Sequence, residues 1–439
     1  MADWAVTLIF MLGSLGGLLL FGLPVAFAFL AVTIGGAYFI LGGDNGLVQL
    51  SRNTAKSLAN FQLAPIPLFI LMGELLFQTG VAHRAIDAID RLITKIPGRL
   101  SVVTIFSGTI FAALSGSTIA NTAMLGSTLL PNMLKRGYHP SMALGPIMAS
   151  GAIAMLIPPS ALAVLVGSLA GISIAKLLLA GVIPALLLAF LFVIYVVGRS
   201  ILNPAVAPVD ELPEMTLYER WVPFLIYVVP LSGLFLLVIG SLFLGIATPT
   251  ESAALGCAGA MFAGLAYRSF SGASIGVALM ETVKISVMIL LIIATSQTFS
   301  QILSFSGASR GMISVINGFD PTPMMILIGM VAILLILGCF IDQVSMLMIT
   351  VPIFVPLADA VGINDLVLGV VYLLTMEIGL LTPPFGLLLF VMKGVAPREI
   401  TMGTIYSSIT PFLLIKFFVL LLIIFVPSVS LWLPNIAIK

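Results

Sequence analysis

Leu156-Ile157-Pro158-Pro159-Ser160 and Leu381-Thr382-Pro383-Pro384-Phe385 interrupt long apolar runs at matching places in the two halves of the chain, and their reading decides the fold. Proline has no amide hydrogen and disfavours helical geometry in the residue before it, so each pair ends one helix before the next begins. Irregular backbone at membrane depth is tolerated only where protein surrounds it or where it lines a polar cavity. One such break per half points to a transport site assembled from two repeats.

The composition around these breaks is that of a membrane protein. The 439 residues are 60% hydrophobic and 8% charged, whereas an ordinary soluble domain carries about 25% charged residues. Apolar stretches of ~20 residues, enough to cross ~30 Å of hydrocarbon as a helix, recur along nearly the whole length. They are too long and uniform for barrel strands. The fold class expected is therefore an all-α polytopic membrane protein. A net charge of +1 offers no basic field for nucleic acid. Cys257 and Cys339 lie in apolar surroundings and read as buried thiols, while His83 and His139 read as solvated residues at segment ends. The start, Met1-Ala2-Asp3-Trp4, lacks the basic region of a signal peptide and is expected to lead into a retained anchor.

The breaks belong to an internal duplication. Pro24 and Pro249, Pro131 and Pro356, Gly137 and Gly362, and the two Pro-Pro pairs are each separated by 225 residues. Such shared punctuation marks a repeat even where identity is weak. The first repeat is expected over 1–200 and the second over 221–439. A polar linker, 201–220, carries Pro204, Pro208 and Pro213 among Asp210, Glu211, Glu214 and Glu219. In the first half, crossings are expected at about 5–22, 24–42, 64–81, 140–171 (broken near Pro158) and 178–198. Residues 100–134 are interrupted by Ser115-Gly116-Ser117-Thr118, which leaves arms of roughly 15 residues, each short for a full span. They read as a re-entrant helical hairpin. The second half repeats this with a hairpin at about 323–358 around Phe340-Ile341-Asp342-Gln343 and a broken helix at about 366–396. Segments 45–62 and 269–285 mix polar and apolar residues and read as helices lying along the interface or as plain connecting loops.

Charge positions orient the repeats. The base of the first hairpin carries Arg84, Arg91, Lys95, Arg99, Lys135 and Arg136, which the positive-inside rule places in the cytoplasm. The base of the second carries Arg310 with Asp320, Asp359 and Asp365, an external pattern. An odd number of crossings per half inverts the second repeat relative to the first, in agreement. Lys416, near the inner end of the last span, is expected to snorkel.

A hairpin tip exposes the end of one half-helix and the start of the next, so free carbonyls lie beside free amides. The amide end attracts carboxylates and the carbonyls attract cations. Ser115, Gly116, Ser117 and Thr118, followed by Asn121 and Thr122, supply hard oxygens that suit a small alkali cation. The alternative is that the hydroxyls bond back to their own helix and the glycine permits close packing. At the breaks, the carbonyls of Leu156 and Ile157, and of Leu381 and Thr382, lose helical partners. Gly151 with Ser150, and Gly379 with Thr375, lie nearby in sequence. If each tip faces the break of its own repeat, each half builds one cation site beside a shared substrate cavity. Of the acidic residues within apolar runs, Asp342 is the best placed, Glu251 after Thr248-Pro249-Thr250 reads as a helix cap, and Glu74 and Glu377 suit either a site or polar packing.

Ala113-Leu114-Ser115-Gly116-Ser117, Leu156-Ile157-Pro158-Pro159-Ser160, Ala247-Thr248-Pro249-Thr250-Glu251-Ser252-Ala253-Ala254 and Glu377-Ile378-Gly379-Leu380-Leu381-Thr382-Pro383-Pro384, in this order and spacing, resemble the large membrane subunit of tripartite ATP-independent periplasmic (TRAP) transporters. The resemblance covers essentially the whole chain. It implies an elevator-type architecture of two inverted-topology repeats in the bacterial inner (cytoplasmic) membrane, driven by a sodium gradient and not by ATP. It also implies a small four-helix membrane subunit, a soluble periplasmic substrate-binding protein and an organic-acid substrate such as a dicarboxylate, a sialic acid or another sugar acid. Because the chain begins directly with the first repeat, that small subunit is expected as a separate chain.

Carried onto this sequence, the first sodium site would use Ser115, Gly116, Ser117, Gly151, Ile157 and Pro158, and the second Ile341, Asp342, Thr375, Gly379, Thr382 and Pro383. An anion pocket between the tips would use Ser117, Thr118, Asn121, Asp342 and Gln343. Other classes of protein compete with this reading. A self-sufficient sodium/carboxylate symporter shares the hairpins without needing a binding protein. A membrane-embedded enzyme needs catalytic groups on facing helices, and no facing aspartate pair or serine-histidine pair at depth is evident. An ion channel is disfavoured because mirrored repeats with central breaks suit alternating access.

Overall fold

The computed structural model describes residues 3–208 and 215–437. Asp210, Glu211, Pro213 and Glu214 of the expected linker lie outside the described residues. The first series of helices is α1 (Asp3–Leu20), α2 (Val25–Ile40), α3 (Asp44–Leu58), α4 (Pro65–Gln78), α5 (Val81–Leu92), α6 (Arg99–Ser115), α7 (Thr118–Lys135), α8 (Pro140–Gly151), α9 (Ala161–Ala170) and α10 (Ile174–Leu202). The second begins with α11 (Leu217–Pro223), which passes through a π-helical turn (Phe224–Val228) into α12 (Val229–Phe243). It continues through α13 (Pro249–Ala266), α14 (Gly272–Phe305), α15 (Ala308–Asn317), α16 (Pro323–Phe340), α17 (Gln343–Ala360), α18 (Asp365–Leu381), α19 (Leu387–Val395), α20 (Met402–Phe425) and α21 (Ser428–Ala437). Among the described residues, seven helical stretches are long and apolar enough to cross a membrane, α10, α14 and α20 among them.

The two-residue connections at Gly116-Ser117 and Ile341-Asp342 make hairpins of α6/α7 and α16/α17, whose arms pack on each other. Gly116 closes α6 in the left-handed conformation at φ 57°, where a side chain would be strained. Ser117 then caps α7 by accepting the Ala120 N–H at 3.3 Å. At the base of the first hairpin, the buried Arg99 guanidinium donates to the Asp90 carbonyl at 2.6 Å and pairs with the Asp90 carboxylate at 2.8 Å, fixing α6 to the end of α5.

Two expectations change here. Residues 269–285 do not form a separate interfacial segment, because α14 runs unbroken for 34 residues. In the first series, Pro65 and Pro67 follow a 3-10 turn and start a new helix at α4, whereas the second half has no proline between Pro249 and Pro321 to interrupt it. The 45–62 segment is a helix over most of its length, α3, with Leu50 buried and the Asn53 amide bonded to Gln301 on α14. The end of the expected linker is also helical. Thr216 and Glu219 form a reciprocal capping box at the start of α11.

The densest packing falls into two groups. One joins α2, α3, α4, α12, α13 and α14. The other joins α6, α7, α8, α10, α16, α18 and α20. The hairpins and broken helices belong to the second group, and contacts of α4 with α6 and α9, and of α14 with α17, connect it to the first. Lys416 lies at the centre of this second group. It does not snorkel: its side chain is fully buried and paired with Glu377.

Candidate transport site

The first break spans 152–160, between α8 and α9, and every one of these residues is buried. Unwound backbone there has amides and carbonyls without helical partners, and each unsatisfied one would cost roughly 1–3 kcal/mol. Two charged side chains of the second half satisfy one amide and one carbonyl of this segment. The Glu377 carboxylate accepts the Met155 N–H at 3.0 Å, and the Lys416 ammonium donates to the Ala152 carbonyl at 2.8 Å and to Glu377 at 2.8 Å. A buried ion pair is tolerable only with such additional hydrogen bonds. The charges and the break therefore stabilise each other.

The second break, 382–386, is more open, with Pro384 and Phe385 exposed. Its backbone is closed by Gly386 N–H donating to the Thr382 carbonyl at 3.1 Å and by the Tyr406 hydroxyl donating to the Pro384 carbonyl at 2.9 Å. Both Pro-Pro bonds are cis.

Each tip or arm meets the break of its own half. A Cβ added to Gly116 would lie 3.0 Å from the Pro159 carbonyl oxygen, and one on Gly151 would lie 2.0 Å from the Thr122 hydroxyl. In the second half, α16 crosses α18 at two glycines, where a Cβ on Gly338 would lie 2.9 Å from Gly379 Cα. The rings of Phe340 and Phe385 are 5.6 Å apart. The second tip also reaches the first break, through the Gln343 amide 3.4 Å from the Met155 sulfur.

The structure distributes the expected site residues unevenly. Gly116, Gly151 and Gly379 sit at these contacts, and Ile157 and Pro158 are buried within the first break, but the Leu156 carbonyl is packed against α10, where a Cβ on Gly181 would approach it to 2.3 Å. Asp342 is exposed and caps α17, its carboxylate accepting the Val344 and Ser345 amides at 3.0 and 3.1 Å and the Ser345 hydroxyl. The Thr382 hydroxyl donates to the Ile378 carbonyl at 2.7 Å, and Ile341 and Pro383 are half-buried. Thr118 is buried at the start of α7, and the Ser115 side chain lies outside the described residues. Glu251 caps α13 through a reciprocal box with Thr248.

Three buried oxygens near the tips and breaks are left over: Thr122 Oγ1, Thr375 Oγ1 and Asn121 Oδ1 have no hydrogen-bond partner. Unsatisfied buried oxygens call for a water or an ion. Thr122 faces Gly151, the last residue of α8 before the first break, and Thr375 lies one turn before Gly379 on the helix that leads to the second. These three leftover donors are uncharged hard oxygens, a set that fits an alkali cation.

A small cavity of about 20 Å³, lined by Gly73, Phe77, Phe111, Asn121 and Leu231, lies between the first hairpin and α4 and α12. A larger one of about 140 Å³, with Ser296, Gln297 and Ser300 on its wall, lies between α14 and α17. Sequence reasoning left Lys416 out of this arrangement. The available signal was its position, a lone lysine inside an apolar span.

The chain matches the family described as "Tripartite ATP-independent periplasmic transporter, DctM component" over residues 12–429. It is 33% identical to the C4-dicarboxylate TRAP transporter large permease protein of Pseudomonas aeruginosa over 90% of this chain and 93% of that one. It is 31% identical to the sialic acid TRAP transporter large permease protein of Vibrio cholerae, over 96% of both. The ectoine TRAP transporter large permease protein of Halomonas elongata is 30% identical, over 98% of this chain and 99% of that one. Among solved structures, the Neisseria gonorrhoeae MtrF efflux pump superposes with a TM-score of 0.61 at 15% identity, covering 97% of this chain and 96% of its own. The Alcanivorax borkumensis YdaH transporter gives 0.59 at 15% identity, covering 90% and 89%. These two share the fold. The three TRAP relatives are named as transporter permease proteins, not as enzymes. With its spanning helices and a family match over nearly its whole length, the chain belongs to the DctM components, the large multi-pass inner-membrane permease subunits of TRAP transporters.

Proposed function

We propose that the chain imports an organic acid down a sodium gradient, without ATP, by an elevator movement of the hairpin group across the α2–α4 and α12–α14 group. A periplasmic binding protein delivers the substrate, and a small four-helix membrane subunit, a separate chain, works with the permease. Relatives named for C4-dicarboxylate and sialic acid transport support the acid class. The helix succession supports two inverted repeats: α6 to α10 correspond in order to α16 to α20.

The observation that carries the reading is the contact of each hairpin with the broken helix of its own half, with a partnerless buried threonine hydroxyl at or near each contact. Cations in those two places would order the tips and offset the charge of a carboxylate bound between them. Fully loaded and empty states are then the ones that move cheaply, since an unpaired charge in the bilayer is costly.

The test is uptake of radiolabelled succinate and sialic acid into proteoliposomes holding the chain and its small subunit, with binding protein outside. Accumulation under an inward sodium gradient and none under a potassium gradient is expected. Uptake indifferent to sodium would reject the coupling, and uptake by the chain alone would favour a self-sufficient symporter.

A further inference from the structure

We propose that the Glu377–Lys416 pair couples the two candidate sodium sites, so that occupation of one tightens the other. The inference rests on the sodium reading above. Glu377 stands two residues after Thr375 and two before Gly379, the second-site positions on α18. Its carboxylate holds the Met155 amide, two residues before Ile157 of the first break. Lys416 holds Ala152, the residue after Gly151. A shift at either break is thus passed to the other through two hydrogen bonds and one ion pair, all fully buried. Ala152 and Glu377 are also separated by the 225-residue offset of the repeat, and Lys416 bonds both. Equivalent positions of the two repeats meet at this ammonium. The second tip touches the same segment through Gln343 and Met155. A buried pair whose only task is to hold α18 against α20 has no need to bond the unwound backbone of the other half.

Coupling of this kind predicts a signature that a purely architectural pair would not produce. Binding of ²²Na⁺ to the purified full-length chain, titrated with NaCl against choline chloride at constant ionic strength, should be sigmoidal with a Hill coefficient of about 2 for two coupled sites. In Glu377→Gln/Lys416→Met, which removes both charges together, the coefficient should fall to about 1, with half-saturation raised about tenfold. If that double variant does not elute as a folded protein, Lys416→Arg keeps the charge, alters the geometry and should lower the coefficient in the same direction. A folded variant with the wild-type coefficient overturns the proposal. Hyperbolic ²²Na⁺ binding by the wild type overturns it too while leaving the sodium reading intact, whereas no ²²Na⁺ binding at all removes both.

Discussion

Glu377 and Lys416 lie 39 residues apart in sequence and 2.8 Å apart in space, with both side chains fully buried. Removing one partner leaves the other as an uncompensated buried charge, typically a loss of 3–5 kcal/mol, whereas neutralising both together is far milder. Glu377→Ala or Lys416→Ala should therefore lower the thermal unfolding midpoint sharply, and Glu377→Gln/Lys416→Met should recover most of it. Asp342 separates two roles in the same way. Its carboxylate caps α17, a task asparagine performs about as well, while alanine loses roughly 1 kcal/mol. Asp342→Asn should keep the midpoint; if the charge also serves a cation, the variant's uptake will need more sodium, whereas an unchanged sodium dependence would leave Asp342 as a cap alone. At this scale the sequence was legible only in part. Asp342 and Ser117 stand out because they follow helix ends, but a lysine in an apolar span shows its depth only once its partner, on a different helix, is known.

The helical elements were legible where proline or glycine punctuates them. Gly116, the Pro-Pro pairs and Pro249 mark ends by local rules that tertiary packing does not override. α14 escaped because a polar stretch suggested a boundary that no residue enforces. Close helix crossings were also unreadable, since a glycine in sequence does not say what lies opposite it. At Gly151 the neighbour is Thr122, so Gly151→Ala forces a Cβ to 2.0 Å from its hydroxyl oxygen. Overpacking of this kind typically costs 1–3 kcal/mol. Adding Thr122→Ala removes that oxygen and should restore part of the thermal stability, a rescue that Thr122→Ser should not give. Gly379→Val should part α16 from α18, because Gly338 leaves no room there, and uptake should be lost even where the protein is still recovered from the membrane.

For the whole molecule, the account depends on the second half lying upside down relative to the first. The four shared offsets and the matching succession of helices argue for the repeat, and the contrast between Lys95 and Arg99 at one hairpin base and Asp359 and Asp365 at the other argues for the inversion. The division into a hairpin-bearing group and a second packed group was not legible, because it arises from which apolar faces meet, and such faces look alike in an almost uniformly hydrophobic sequence. The most direct measurement is sidedness. In a Cys257→Ala/Cys339→Ala background, Lys95→Cys and Asp365→Cys are labelled in intact cells with a membrane-impermeant maleimide, before and after permeabilisation. The inverted-repeat account predicts that position 365 reacts from outside and position 95 only once the cytoplasm is opened; labelling of both from the same side would contradict it.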